Sequence, residues 1–374
     1  SLAAGSNDFV IGAYAAASGK QNFNGKIDQV RIFSSALSSS QVTQLYNEKP
    51  EVDTSNFKAV LYEGDSNTSG NYISNVGFQP DLVWIKFRNT AVRHLIHNVV
   101  TGPSVYEGAG RTFHSNETFV SNTYGEFTSF EANGFIVQFS SGSQYFNTSG
   151  LDYVAWNWKG GGAAVTNGDG AVSSSVSANP SAGFSIVKWT GDGTNSQTVG
   201  HGLSSAPELV IMKDVTGGNP WYVLTTAYSV INPAYLVLNT NAEAISATFT
   251  STATTFTNFA YGSDVVAWCF HSVAGYSSIG TYTGNGNATG TIVSLDFAPS
   301  FVMIKGTDQT SDWIMIDNKR DTTNPNAARL DANSNGQEYT GENIMDLNSN
   351  GFQLKTSSSS KNGLDKVFIY MAFK

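Results

Sequence analysis

Cysteine is nearly absent from this chain of 374 residues, with Cys269 standing alone. One thiol excludes an internal disulfide framework and a multi-thiolate metal site, so the fold must hold by packing. The apolar neighbours in Val265-Val-Ala-Trp-Cys-Phe270 mark Cys269 as a small core residue. Charge is sparse as well, at 13% of residues against about 25% in ordinary globular chains. With 20 basic and 29 acidic residues, a net charge of −9 and no Lys/Arg cluster, the chain lacks the cations with which a nucleic-acid binder neutralises phosphates. No apolar run approaches the ~20 residues of a membrane-spanning helix. The opening Ser1-Leu-Ala-Ala-Gly5 has no initiator Met and no secretory leader, and reads as the interior of a longer polypeptide.

Aromatic residues are abundant: 23 Phe, 16 Tyr and 7 Trp. They argue against disorder and are ample for several cores. A signature recurs three times: Pro80-Asp-Leu-Val-Trp-Ile-Lys86, Pro207-Glu-Leu-Val-Ile-Met-Lys213 and Pro299-Ser-Phe-Val-Met-Ile-Lys305. Upstream of each lies an aromatic–Gly turn (Tyr62-Glu-Gly-Asp65, Trp189-Thr-Gly-Asp192, Tyr282-Thr-Gly-Asn285). Eight residues after each Lys comes His94, Trp221 or Trp313, and each copy closes on an aromatic strand ending at Lys159, His271 or Lys374. Units of this size are too long for solenoid repeats and large enough to own a core.

Short apolar runs punctuated by Gly, Asn, Asp and Ser, with no helical periodicity between them, predict an all-β fold of tandem antiparallel β-sandwich or jelly-roll domains. The expected boundaries are a separate segment 1–50, repeat one at 51–160, a flexible Gly/Ser linker at 161–182, repeat two at 183–275 and repeat three at 276–374. Repeats two and three, with almost no spacer, are expected to dock more rigidly than one and two. Each Pro suits a strand's first residue, and each Lys is expected to close its strand facing solvent. In the first fifty residues, 27–33 alternate as a strand does, and Ser38-Ser-Ser-Gln41 reads as a capping box opening a short helix.

Candidate chemistry is thin. The closely spaced carboxylates of a glucanase strand are missing, since Glu126 and Glu131 lie five apart in a Phe-rich stretch. No Gly-x-Ser-x-Gly elbow stands near a His-bearing strand, and Gly160-Gly-Gly162 precedes neither Lys nor helix. His94 and His97, three apart, fall on opposite faces of a strand and cannot chelate together. Asn167-Gly-Asp-Gly170, Asp192-Gly-Thr-Asn195 and Asn285-Gly-Asn287 offer oxygens that Ca²⁺ would accept, but turn chemistry accounts for them more simply. No cofactor is implied otherwise. Trp156, Trp158, Trp189 and Trp268 read as core. Trp221 and Trp313 follow polar loops and are the candidate exposed aromatics for stacking on a sugar.

The block Phe23-Asn-Gly-Lys-Ile-Asp-Gln-Val-Arg-Ile-Phe33, with Ala36-Leu37-Ser38 and Leu45-Tyr46, resembles the C-terminal end of a laminin-G-like, concanavalin-type jelly roll. Residues 51–374 resemble a β-rich module of tail-fibre and other virion structural proteins of marine bacteriophages. That resemblance rests on the Pro-to-Lys strand, the aromatic–Gly turn and the closing aromatic strand, and His94 departs from the pattern. It implies a non-enzymatic virion appendage protein, extracellular at the virion surface. The implied partners are other virion proteins, its own copies as a homotrimer, and a host-surface glycan, with neither nucleic acid nor membrane insertion. A secreted or cell-surface bacterial carbohydrate-binding protein is the alternative, and a glycan depolymerase a second.

Overall fold

The structure, a computed structural model, describes residues 56–374 except 104–110, 122–125, 140–144, 195–196, 217, 229–233, 248, 258 and 260, together with 13–16, 19–22 and 36–38. The chain divides into two compact units, Ser1–Glu51 and Val52–Lys374. In the first, strands Ala13–Ala16 and Gly19–Asn22 pair as an antiparallel hairpin. The strand expected at 27–33 and the helix expected over 39–46 lie outside the described residues.

The second unit is almost wholly antiparallel β-structure. Each repeat builds a principal sheet with one strand order. In the first repeat an opening strand (Phe57–Glu63) pairs with the closing strand (Asp152–Trp158), which pairs with the Lys strand (Leu82–Phe87), which pairs with Leu95–Asn98. The second repeat repeats this with Phe184–Thr190, Asp264–Phe270, Leu209–Asp214 and Tyr222–Thr225. The third does so with Ser277–Thr283, Val367–Phe373, Phe301–Gly306 and Ile314–Asp317. The register agrees residue by residue: Leu82 faces Trp158 and Asn98, Leu209 faces Phe270 and Thr225, and Phe301 faces Phe373 and Asp317.

Alternation along the Lys strand then sends its side chains into two different cores. Val83, Ile85 and Phe87 point to a core private to the first repeat, closed by a small sheet of Asn71–Ile73, Glu126–Glu131 and Gly134–Gln138. The second and third repeats have their own private cores beneath the small sheets of Thr198–Gly200 with Thr255–Thr257, and of Ile292–Ser294, Gly351–Leu354 and Met345–Asn348. Gly134 and Gly351, at φ 146° and 141°, open matching strands of these small sheets. A Cβ there would meet the carbonyl oxygens of Ile73 and Val293 at 1.9 and 2.0 Å, so only glycine lets the backbones cross so closely.

Leu82 and Trp84 point the other way, into a single core shared by all three repeats. Aromatic contacts join every pair: Trp84 with Trp268 (6.2 Å between centroids), Phe57 with Phe373 (5.2 Å) and Phe270 with Phe373 (6.0 Å). Each principal sheet is thus covered on both faces, which is why its strands read as continuous apolar runs. The repeats form an interlocked cluster around one core.

Two expectations are corrected. The Gly/Ser segment 161–182, read as a flexible linker, forms strands Val165–Asn167 and Ser174–Asn179 and a 3-10 turn at Pro180–Ala182. Ser174–Asn179 pairs with the opening strand of the second repeat, and Val176 seals that repeat's private core. Small alternating residues suit a strand laid along a sheet edge, and composition alone hides this. The three lysines, expected in solvent, are all buried. Lys86, Lys213 and Lys305 share the parity of Leu82, Leu209 and Phe301, so they lie on the face that the other repeats cover.

Candidate functional site

Trp221 and Trp313, expected to be exposed, are 0% and 1% exposed. They sit in the shared core with the equivalent His94 and form a directed cycle. The Trp221 Nε1–H of the second repeat donates to the His114 carbonyl of the first (2.9 Å). The Trp313 Nε1–H of the third donates to the Val237 carbonyl of the second (3.1 Å). His94 Nε2 meets the Asp331 carbonyl of the third repeat at 3.0 Å. Trp84 Nε1–H donates to His94 Nδ1 (2.8 Å), which leaves Nε2 as the protonated nitrogen. Histidine therefore performs here the donor role that indole performs in the other copies. Its smaller ring is matched by Trp84, which replaces the Ile211 and Met303 of the equivalent strands. All seven tryptophans are buried, so none is placed to stack on a sugar.

Asn116, Asn239 and Asn333, which the sequence reading missed, complete the cycle. Each side-chain oxygen accepts the backbone N–H of its own repeat's His94, Trp221 or Trp313 at 2.8–3.1 Å. Each lies two residues beyond the carbonyl offered to the neighbour. The recurring offset of 18–22 residues was the available signal.

Two of the three buried lysines strengthen the same joints. Lys86 Nζ donates to the Asn335 carbonyl of the third repeat (3.4 Å), and Lys305 Nζ to the Asn241 carbonyl of the second (3.3 Å). Lys213 pairs with its neighbour Asp214. Burial pushes Lys86 down to about 7, with the Arg320 charge adding to it, and Lys305 down to about 8.

Repeats one and three, which no short connection joins, carry the densest ionic contact. Asp317 and Arg320 form a fully buried pair (2.6 Å), Arg320 reaches Glu338 (3.3 Å), and Glu338 pairs with Arg88 of the first repeat (2.8 Å). The Trp156 Nε1–H donates to Asp317 (3.0 Å) across the joint. Burial raises the Asp317 carboxyl, but the Arg320 charge and hydrogen bonds from Arg320 and Trp156 outweigh it and hold it below the usual range. This network ties repeat one to repeat three, a joint that the expected ranking of two–three over one–two left out.

The histidines divide as parity requires. His94 faces the shared core, while His97 lies on the private core, stacked on Phe127 at 4.6 Å and 12°. Burial lowers His97 to about 3 and His114 to about 4, and holds His94 well below its usual value. The unfolded chain therefore binds protons first as pH falls below ~6.5, and stability drops there. The lysines act at the other end. Between about 7 and ~10.4 the unfolded chain holds protons that the folded chain has released, so stability rises with pH. Denaturation midpoints are expected to increase from pH 4.5 to 6.5 and again to pH 9. His97→Phe should flatten the acid limb and Lys86→Met the alkaline one. A midpoint independent of pH would contradict this assignment of buried neutral groups.

The proposed Ca²⁺ loops close on themselves. Asp192 Oδ1 accepts from the Thr194 N–H, Asn285 Oδ1 from the Asn287 N–H and Asn167 Oδ1 from the Asp169 N–H, at 2.9–3.0 Å. Among the described residues no group of three His, Cys, Asp or Glu gathers as a metal site.

Of the open clefts among the described residues, two border the first repeat. One, of about 490 Å³, is lined by Asn56, Gln79, Asp81, Lys159, Gly160–Gly162 and Asn179 among others. Asp81 there accepts the Gly162 N–H (3.2 Å), and burial raises its carboxyl. The equivalent Glu208 accepts the Ser272 N–H (2.6 Å). These acids clamp the chain as it passes from one repeat to the next. The third position is Ser300, which bonds the Phe373 carbonyl (3.4 Å). The other cleft, of about 200 Å³, lies between Phe57–Ala59 of the first repeat and Ser300, Asn318, Lys319 and Lys374 of the third.

A family model described as a domain of unknown function, DUF7483, matches residues 53–374. The chain belongs to the DUF7483 family. One family model thus spans the whole interlocked cluster. A second, the concanavalin A-like lectin/glucanases superfamily, matches residues 1–43, ahead of the DUF7483 region. No curated protein and no solved structure is significantly similar to the chain.

Proposed function

We propose that this chain is a non-catalytic segment of an extracellular appendage, a bacteriophage tail fibre or similar virion component, which holds a lectin-type domain against a host-surface glycan. The observation that carries the reading is the directed cycle of buried donors. Trp221, Trp313 and the His94 imidazole bond across the joints, as do Lys86, Lys305 and Trp156. The ionic groups between repeats one and three are paired with one another, and Asp81 and Glu208 are bound to backbone N–H groups. Such an interior suits a rigid mount. Sugar recognition falls to the segment that matches the lectin and glucanase superfamily, and several copies on one particle would turn weak contacts into avidity.

The test uses the full chain. It is expected to retain host-surface polysaccharide on a glycan array without shortening it, and an antibody against it is expected to label particle appendages. Polysaccharide cleavage that disappears on replacing a single carboxylate would establish a depolymerase instead. Labelling confined to bacterial surfaces would favour the cell-surface alternative.

A further inference from the structure

The opening strands of the three repeats are equivalent, yet among the described residues only the second has its outer edge covered, while those of the first and third pair on one side alone. In the second repeat the edge of Phe184–Thr190 is covered by the chain's own Ser174–Asn179, in the register Asn179–Phe184, Ser177–Ile186, Val176–Val187. In the first repeat the strand Phe57–Glu63 pairs on its inner side only, with Asp152–Trp158, and no described residue pairs along its outer edge. The difference shows in burial. Val187 is 0% exposed beneath Val176, whereas its counterpart Val60 is 8% exposed and the next residue, Leu61, is 42% exposed. An edge that the described residues leave open is a template for another strand.

A second, independent feature marks the same edge. The 200 Å³ cleft runs beside its first residues, Phe57–Ala59, and presents Lys58, Lys319 and Lys374. All three are exposed, no side-chain carboxylate lines the cleft, and no described ion pair involves them. In a chain of net charge −9 this concentration of unpaired cations calls for an acidic occupant.

We propose that the outer edge of Phe57–Glu63 receives an extended acidic segment of a partner protein as an added antiparallel strand. The second repeat supplies the template for its chemistry. A small polar residue would stand opposite Ala59, where Ser177 faces Ile186, and a small apolar residue opposite Val60, where Val176 faces Val187. Antiparallel pairing brings the C-terminal end of the added strand to Phe57, so its carboxylates meet Lys58, Lys319 and Lys374. This goes beyond the proposed mount and does not depend on glycan binding.

The probe is a synthetic peptide, Ser-Ser-Val-Ser-Ala-Asn-Glu-Glu, added to the full chain and followed by amide hydrogen exchange and calorimetry. Binding is expected, with slowed exchange confined to 57–63. Affinity should fall at least tenfold in the Lys319→Ala/Lys374→Ala variant and with rising salt. A peptide carrying Pro in place of the Ser opposite Ala59, whose N–H would have to donate to the Ala59 carbonyl, should not bind. The proposal is overturned if 57–63 already exchanges as slowly as 184–190 in the free chain, because the edge is then occupied. It is equally overturned if the peptide gives no protection there at millimolar concentration, or binds the lysine variant unchanged.

Discussion

Replacing Arg320 by alanine is expected to cost about 3–5 kcal/mol, the usual penalty for stripping one partner from a fully buried ion pair. Asp317 would keep its bonds from Trp156 Nε1 and from the backbone N–H groups of Lys319 and Arg320, but it would remain a buried carboxylate with its counter-charge gone. Glu338 would keep only Arg88. The loss should be local before it is global. Amide exchange is expected to quicken first at Glu338, whose N–H donates to the Arg88 carbonyl across the joint (2.8 Å), while the private core of the second repeat stays protected. Pairing the change with Asp317→Asn should recover part of the stability, since the orphaned charge is removed with its partner. Equal destabilisation by the single and double variants would argue that packing of the Arg320 side chain over Trp156 (5.5 Å), rather than charge, holds the joint.

Trp268→Ala is expected to cost about 3–5 kcal/mol, as large-to-small changes of a buried aromatic do. Where it acts distinguishes a shared core from three independent ones. Trp268 belongs to the second repeat, yet its ring contacts Trp84 of the first at 6.2 Å as well as its own Trp221 at 5.2 Å. A cavity there therefore weakens two repeats at once. Unfolding should remain a single transition shifted to lower denaturant, with the first and second repeats losing protection together. A separate early transition of the second repeat alone, or a loss below about 1 kcal/mol, would show that the ring is not part of a common core.

The strands and their threefold recurrence were legible because apolar runs and turn residues are local signals. What covers the second face of each sheet was not. Leu82, Trp84 and Lys86 lie on one face and Val83, Ile85 and Phe87 on the other, a pattern equally compatible with a solvated lysine until the neighbouring repeats are in place. The same gap misplaced Trp221 and Trp313. They follow polar loops, and loops normally lead to surface, but these loops pack against another repeat. Recurrence at one offset with His94 was the better guide, because the three rings share an N–H donor and little else. The Ser-rich strand beside Phe184–Thr190 was hidden for another reason: small polar residues are common to linkers and to edge strands, and only pairing tells them apart.

The donor cycle also fixes how many copies can be assembled. Each repeat gives to one neighbour and receives from the other, and the first gives to the third, so every seat is taken. A stacked array could lengthen by duplication at either end, but a fourth copy here would find no vacant acceptor in the cycle. Lineages carrying this arrangement should vary their loops and whatever precedes it, while the tally of three stays constant.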